Sequence, residues 1–535
     1  MYKFRVFLKP YKIIKKFPLY SKIYNKSLKS KIEPEVIKLV KKKSNEILKK
    51  NEFKYLLKNF DKKYILLHFY YFFFERIHFK VSANKINKIL KKDKKFNIFS
   101  YDIVDISYCL RTLKKLITFF YYFLFKKNKQ NNQKNKNYEI LVNYGLNSKI
   151  GSKQDILYSK SLLKSKKMGF LLEKKLFSLN KKEKKILKNN CISSVENPEL
   201  NSDIFVPTKI SEKTKKCLNH YLLNFYKSPV LISYIIEFII SYEYNFQLFR
   251  SLGTKVYVDN GYDYTIASKR QALKNLNAKN FSIQVTYFEP AKYNFLMQAN
   301  DVVFYWGKGT QENINLKDHF IEKLIKIDPT FFRHNKNNKF GKEKFTSKLK
   351  KNDKLITLFD TNLDEHCWIS PETYNLILNN ILLRVLNNNK INLILRLKFK
   401  DNIKYINLEN LKIVQELKKQ KRLIIFDTPY ANNALIYKFS DLVISVGSLT
   451  ITAEAIANKK ESLCFCIDVV QKSFLYEINK INPTVFNNLK EFKKNLDKKL
   501  QFNFKKKNIN NLNNYFFEKK KKDTDLIKYI LNYIK

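Results

Sequence analysis

DLVISVGSLTITAEAIANKKESLCFCID, residues 441–468, carries two apolar runs on either side of a short helical segment. DLVISV and ESLCFC have the length and apolar content of strands buried on both faces, and Gly447 ends the first of them. Ser448 and Thr450 then open a helix that closes at Asn458-Lys459-Lys460. A strand that reaches the next strand through a helix lies parallel to it. The stretch is therefore one unit of a parallel α/β sheet.

The same alternation extends upstream. KLITLFDT (354–361), a helix opened by Ser370-Pro371-Glu372, INLILRLKF (391–399), a helix near 408–420, RLIIFDTP (422–429) and a helix over 430–439 precede it. Earlier, YEILVNYG (138–145), TKVYVDNG (254–261), FSIQVTY (281–287) and DVVFYWG (301–307) read as strands, with helices expected over 208–226, 229–252 and 265–277. The basic stretch RHNKNNKFGKEKFTSKLKKND (333–353) separates the two runs. The expected fold is α/β: two Rossmann-like parallel-sheet domains, 138–332 and 354–500, facing a cleft across the linker 333–353. A mostly helical, basic and aromatic extension, 1–137, precedes them, and helices are expected again over 501–535.

Ligands of open parallel sheets bind beyond the carboxyl ends of the strands. The chain has 9 glycines in 535 residues, against a usual share of roughly 7%, so a glycine kept at a strand end serves backbone geometry. Beyond Gly447 the first amides of a helix carry partial positive charge and suit a phosphate. The Ser448 and Thr450 hydroxyls add donors, and Glu454 can accept from ribose. Ser448 serves equally as a plain N-cap and Glu454 as a dipole partner. Gly447→Val is expected to abolish nucleotide binding at this turn while leaving the protein folded. Arg396 and Lys398 alternate on one strand and can meet one anionic group or face solvent. On the other sheet Asp259 ends a strand and Gln284 lies on its expected neighbour, with Glu243 a third candidate; a carboxylate so placed can take a proton from a bound hydroxyl. An Asx turn before Gly261 accounts for Asp259 as well. Asp360 and Asp364 read as loop acids, and His68, His78 and His366 as structural histidines; no metal site is expected.

Composition bounds the remaining choices. With 44% hydrophobic residues the chain supplies several cores. Lys+Arg 104 against Asp+Glu 47 leaves +57. Such an excess suggests nucleic acid or an anionic membrane, but the abundance of Lys, Asn, Ile, Phe and Tyr is also what an AT-rich genome writes. Six cysteines without CxxC pairs read as buried free thiols of a reducing cytoplasm. The opening MYKFRVFLKPYKIIKKFPLY lacks a signal-peptide core. Tyr64–Phe74, Leu116–Phe125 and Val230–Ile240 are each about half of the roughly 20 residues a membrane span needs.

The segment FSDLVISVGSLTITAEAIANKKESLCFCID resembles the nucleotide-sugar-binding half of GT-B glycosyltransferases. KLITLFDTN with PETYNLILNNILLRVL, NLILRLKFKDN, and the run KVYVDNGYDYTIASKRQALKNLNAKNFSIQVTY with ANDVVFYWGKGTQENI are similar to segments of bacterial surface-carbohydrate (capsule and lipopolysaccharide) biosynthesis proteins. Where that family has His-Gly after the glutamine, this chain has Val285-Thr286. The resemblance implies transfer of a sugar from a nucleotide-sugar donor, without a metal or other cofactor, to a glycan or lipid-linked acceptor. It makes 138–332 the acceptor side and 354–500 the donor side. A sugar-nucleotide epimerase of the same architecture and a basic nucleic-acid-binding protein are the alternatives. The latter lacks an aromatic-basic RNP-like strand, a zinc knuckle or a recognition helix, so no nucleic-acid partner is expected. The expected location is cytoplasmic, peripheral at the inner membrane face. Tyr64–Phe74 and Leu116–Phe125, bordered by Lys62, Lys63, Lys126 and Lys127, are to meet anionic lipid or else form buried helices.

Overall fold

The computed structural model describes residues 26–70, 73, 77, 81, 99–125, 138–144, 168–172, 193–196, 210–259, 266–284, 299–307, 320–327, 354–361, 363, 369, 371–398, 400–426, 433–447, 449–466, 472–501, 511 and 526–534. Two separate parallel sheets organise them. The first holds β1 (Ile140–Tyr144), β2 (Met168–Leu172), β3 (Ser193–Glu196), β4 (Val256–Asp259), β5 (Lys279–Ile283), β6 (Ala299–Tyr305) and β7 (Phe320–Lys326), in the order β3-β2-β1-β4-β5-β6-β7. The second holds β8 (Lys354–Phe359), β9 (Ile391–Arg396), β10 (Leu423–Phe426), β11 (Leu442–Val446), β12 (Glu461–Phe465) and β13 (Val485–Phe486), in the order β10-β9-β8-β11-β12-β13. Every pairing is parallel. Each sheet starts in its middle and winds outward twice, the doubly wound Rossmann order. The expected linker 333–353 lies outside the described residues.

Helices complete the layers: α1 (Lys26–Leu48), α2 (Asn51–Asn59), α3 (Phe99–Phe125), α4 (Glu212–Leu223), α5 (Pro229–Leu252) and α6 (Ile266–Asn275) in the first half. The second half adds α7 (Pro371–Leu386), α8 (Leu408–Lys419), α9 (Asn433–Phe439), α10 (Leu449–Ala457), α11 (Lys472–Ile481), α12 (Leu489–Leu500) and α13 (Leu526–Ile534). The signals that bound α5 are visible in the chain. Pro229 opens it, where no amide partner is needed, and Gly253 closes it at φ 63°, its N–H returning to the carbonyls of Arg250 and Phe249.

Alternate strand residues feed opposite faces. Ile356, Leu358, Ile444 and Leu463 pack with α7, α8 and α12, while Phe359 and Val443 pack with Ile436 and Tyr437 of α9 and Ala455 of α10. On the first sheet, Leu141 and Tyr257 share a core with α4, α5 and the N-terminal helices, including Val36, Phe53, Phe69 and Phe119. Phe60 meets Phe238 and Tyr242 edge-on at 5.4 and 4.9 Å. The described N-terminal helices are thus an outer layer of the first sheet. Of the two readings of Tyr64–Phe74, the described residues take the buried one rather than the membrane one: Tyr64, Ile65, Leu66, Leu67, Phe69, Tyr70 and Phe73 are all buried. Each such side chain contributes about 1.5–3 kcal/mol by leaving water.

The opposite face of the first sheet is covered from the far end of the chain. Tyr529 of α13 lies against Phe281 and Phe304, with ring centroids 5.9 and 5.5 Å away, and Tyr533 meets Phe281 at 5.3 Å. That cluster continues into Leu449, Ala453 and Ile456 of α10.

Candidate functional site at the carboxyl edge of the second sheet

β8 and β11 are neighbours, and the chain leaves them in opposite directions, toward β9 and toward β12. Their carboxyl ends mark the switch point at which such sheets bind ligands. Asp360 and Thr361 follow β8, and Gly447 follows β11 at φ 72°. The Gly447 N–H donates to the Phe465 carbonyl at 2.7 Å. A Cβ on this glycine would stand 2.8 Å from Ile369 Cγ1 and 3.4 Å from Thr361 Cγ2. The missing side chain therefore makes room for the segment after β8. Gly447→Val is consequently not the clean ligand-site change expected from sequence. α10 begins two residues later, with Thr450 half-buried in its first turn, and Thr452 ties the helix back to Ser445 of β11 at 2.8 Å. Ser448 lies outside the described residues.

Asp360 is buried and braced across the strand ends. Its carboxylate accepts from the Lys398 backbone N–H and, at 2.7 Å, from Asn402 Nδ2, which also donates to the Thr361 carbonyl at 2.9 Å. Burial pushes the Asp360 carboxyl up to about 7, against the pull of those two hydrogen bonds and of the Arg396 and Lys398 charges. Arg396 and Lys398 do not present one shared face. The buried Arg396 guanidinium donates to the Leu397 and Phe426 carbonyls, whereas the Lys398 side chain is exposed.

Glu454 of α10 faces α9. The Tyr437 hydroxyl donates to Glu454 Oε2, and the Asn433 side chain adds a second hydrogen bond. Burial raises Glu454 to about 7 and holds the Tyr437 phenol far above its ordinary value. Glu454, expected to accept from a ribose, is thus held in place by two hydrogen bonds within the fold. Two carboxyls that titrate near neutrality, Asp360 and Glu454, thus belong to the elements that build one strand-end region.

On the first sheet, the corresponding switch point between β1 and β4 carries Asp259. Its Oδ2 accepts from Asn280 Nδ2 at 3.2 Å and lies 4.0 Å from Arg270 Nη2, and Arg270 Nε donates to Asn280 Oδ1 at 2.9 Å. β4 and β5 are neighbours as expected, but Gln284 is spent on the sheet: its Oε1 accepts from the Trp306 backbone N–H at 2.8 Å. Glu243, fully buried in α5, accepts from Ser211 N–H and Oγ, Thr214 Oγ1 and Gln247 Nε2. It anchors the N-terminus of α4, a role its place in SYEYNF did not suggest.

Asn402, Tyr437, Asn280 and Arg270 went unnoticed in the sequence. The one available signal was a polar residue inside a strand, Asn280. Asp364 and His366 lie outside the described residues, as does His78. His68 is bonded to the Tyr234 carbonyl at 3.0 Å, and burial lowers it to about 4. Among the described residues no three His, Cys, Asp or Glu side chains are grouped as a metal centre.

The chain matches no family model. No curated protein matches it. Among solved structures, several align with most of the chain at low identity and with TM-scores of 0.45 or below. An S. aureus MnaA–UDP co-structure is 13% identical with a TM-score of 0.45, covering 74% of this chain and 97% of that one. A UDP-GlcNAc 2-epimerase from Neisseria meningitidis bound to UDP-GlcNAc is 10% identical at TM-score 0.42, covering 74% and 99%. An α,α-trehalose 6-phosphate synthase from Burkholderia multivorans is 9% identical at TM-score 0.41, covering 75% and 96%.

Proposed function

We propose that this protein is a GT-B-type glycosyltransferase of surface-polysaccharide assembly, moving a sugar from a nucleotide donor to a glycan or lipid-linked acceptor. The observation that carries the reading is the switch point of the second sheet. A positive-φ glycine there delivers the chain into α10, so the amides of the first helical turn open at the same carboxyl edge on which Lys398, just past β9, is exposed. Those amides and the Lys398 ammonium stabilise the charge that grows on a departing diphosphate, as a bound metal would elsewhere. Asp259, at the switch point of the first sheet, is the group assigned to take the acceptor hydroxyl proton. The hydroxyl oxygen attacks the anomeric carbon, and the bond to phosphate breaks with its electrons leaving on the nucleotide.

Thermal-shift titration against UDP-, GDP-, CDP- and CMP-sugars tests the donor class, since a ligand of the folded state raises Tm. One of the four series should raise Tm, and Lys398→Ala should shrink that shift while the ligand-free Tm stays unchanged. No shift with any donor defeats the proposal; an unchanged shift in Lys398→Ala defeats the placement. A neutral Asp360 favours a polyanionic neighbour, so donor affinity should rise as pH falls through about 7.

A sugar-nucleotide epimerase is the second reading, favoured by the two carboxyls poised near neutrality, which suits proton exchange with a bound sugar. Deuterium entering the sugar ring from heavy water, with no acceptor present, would select it over transfer.

A further inference from the structure

The outer face of α3 is apolar although its inner face is already fully engaged. Tyr108, Thr112, Leu116 and Phe119 are buried. Tyr108 stacks on Tyr234 of α5 with centroids 3.9 Å apart, and Phe119 meets Tyr244 edge-on at 5.4 Å. The Tyr108 hydroxyl, Lys115 and Arg111 all converge on Glu237. These contacts fix the rotation of the helix. On its other side Leu110 is 61% exposed, Leu113 50%, Ile117 62% and Tyr121 53%. At 3.6 residues per turn they form one stripe about 80° wide. Lys114 and Thr118 are the other exposed residues between 110 and 121, and no acid occurs from residue 106 to 125. A helix apolar on both sides ordinarily has a partner on both sides.

Charge identifies the partner. Lys114 borders the stripe, and the sequence that follows α3, KKNKQNNQKNKN at 126–137, has five lysines and no acid. A second copy would set Lys114 against Lys114 between chains of +57 each. Nucleic acid offers phosphate but little apolar surface for four large side chains. An anionic lipid surface takes both, with acyl chains for Leu and Ile, the headgroup boundary for the Tyr121 ring, and lipid charge for the lysines. We propose that α3 is an interfacial helix that lays its Leu110–Tyr121 stripe into an anionic membrane surface without crossing it. Among the described residues no helix is long and apolar enough to span one. The proposal does not depend on the nucleotide-sugar reading.

The test is flotation of the full chain with vesicles of phosphatidylcholine alone and of phosphatidylcholine mixed with phosphatidylglycerol. Wild type should float with the anionic vesicles and lose part of that binding in high salt. L113E/I117E and L113K/I117K alter exposed positions, so their thermal melts should match wild type, and each should weaken flotation by about tenfold. The lysine variant decides between insertion and charge: if it floats as well as wild type or better, the stripe is not inserted and the proposal falls. Wild type ignoring anionic vesicles overturns it too. Concentration-dependent dimers dissolved by L113E/I117E would assign the stripe to a second copy, and stripe-dependent binding of random RNA would assign it to nucleic acid. Donor-induced thermal shifts, measured on the same variants, report separately on the transferase reading.

Discussion

Gly447 holds a left-handed backbone that costs an L-residue about 1–2 kcal/mol, and its absent Cβ makes way for Ile369. Gly447→Ala should lower the unfolding free energy by about 2–3 kcal/mol in urea titration. Adding Ile369→Ala should remove the clash and leave the backbone strain. If Gly447→Ala unfolds like wild type, the turn is not held as described. Asp360 gives a second expectation, in pH. Burial places its native pKa near 7 against an ordinary 3.8, so between those values the folded state binds the extra proton. Its contribution is complete below about 4 and is lost as pH rises through about 7. Glu454, raised from 4.5 to about 7, acts in the same direction. Tm should therefore decline across this window, and Asp360→Asn should flatten the decline; an unaltered slope would remove Asp360 from the account.

At the scale of elements, α4 shows how a carboxylate can look catalytic and serve packing. Glu243→Ala strands the Ser211 amide, two hydroxyls and the Gln247 amide. It should cost about 3 kcal/mol in chemical denaturation, whereas Ser211→Ala, an ordinary cap loss, should cost about 1. Equal costs would show that Glu243 is not the anchor. The same scale explains what was legible. β8, β9, β11 and β12 are almost wholly buried, so their residues are mostly apolar and stand out against Lys-rich helices. β7, FIEKLIK, sits at a sheet edge with exposed charges, as edges require, and its alternation is lost among other lysines. β13 pairs over two residues only. The Asp360–Asn402 and Tyr437–Glu454 bonds join separate elements, and no spacing rule within one element reports such a meeting. Gly447 could be read because a strand, a turn and a helix adjoin it in sequence.

For the whole molecule, α13 links the end of the chain to the first sheet. The face of that sheet turned away from the N-terminal helices presents Val258, Phe281, Phe304 and Ile325. Tyr529 and Tyr533 cover the two phenylalanines, Ile530 is fully buried beside them, and the cluster reaches α10 and α11 through Leu449 and Ile478. This shared core should make the two sheets melt together, since exposing it costs both. Ile530→Asp places a charge in it and should lower stability by about 3–5 kcal/mol, splitting one calorimetric transition into two. Tyr533→Ala, at a residue 43% exposed, should cost about 1 kcal/mol and keep a single transition. Ending the chain before Leu526 should reproduce the split, with the first-sheet transition the lower of the two. A thermogram of the shortened chain that superimposes on wild type would mean that α13 contributes nothing to the coupling and that the sheets are joined elsewhere.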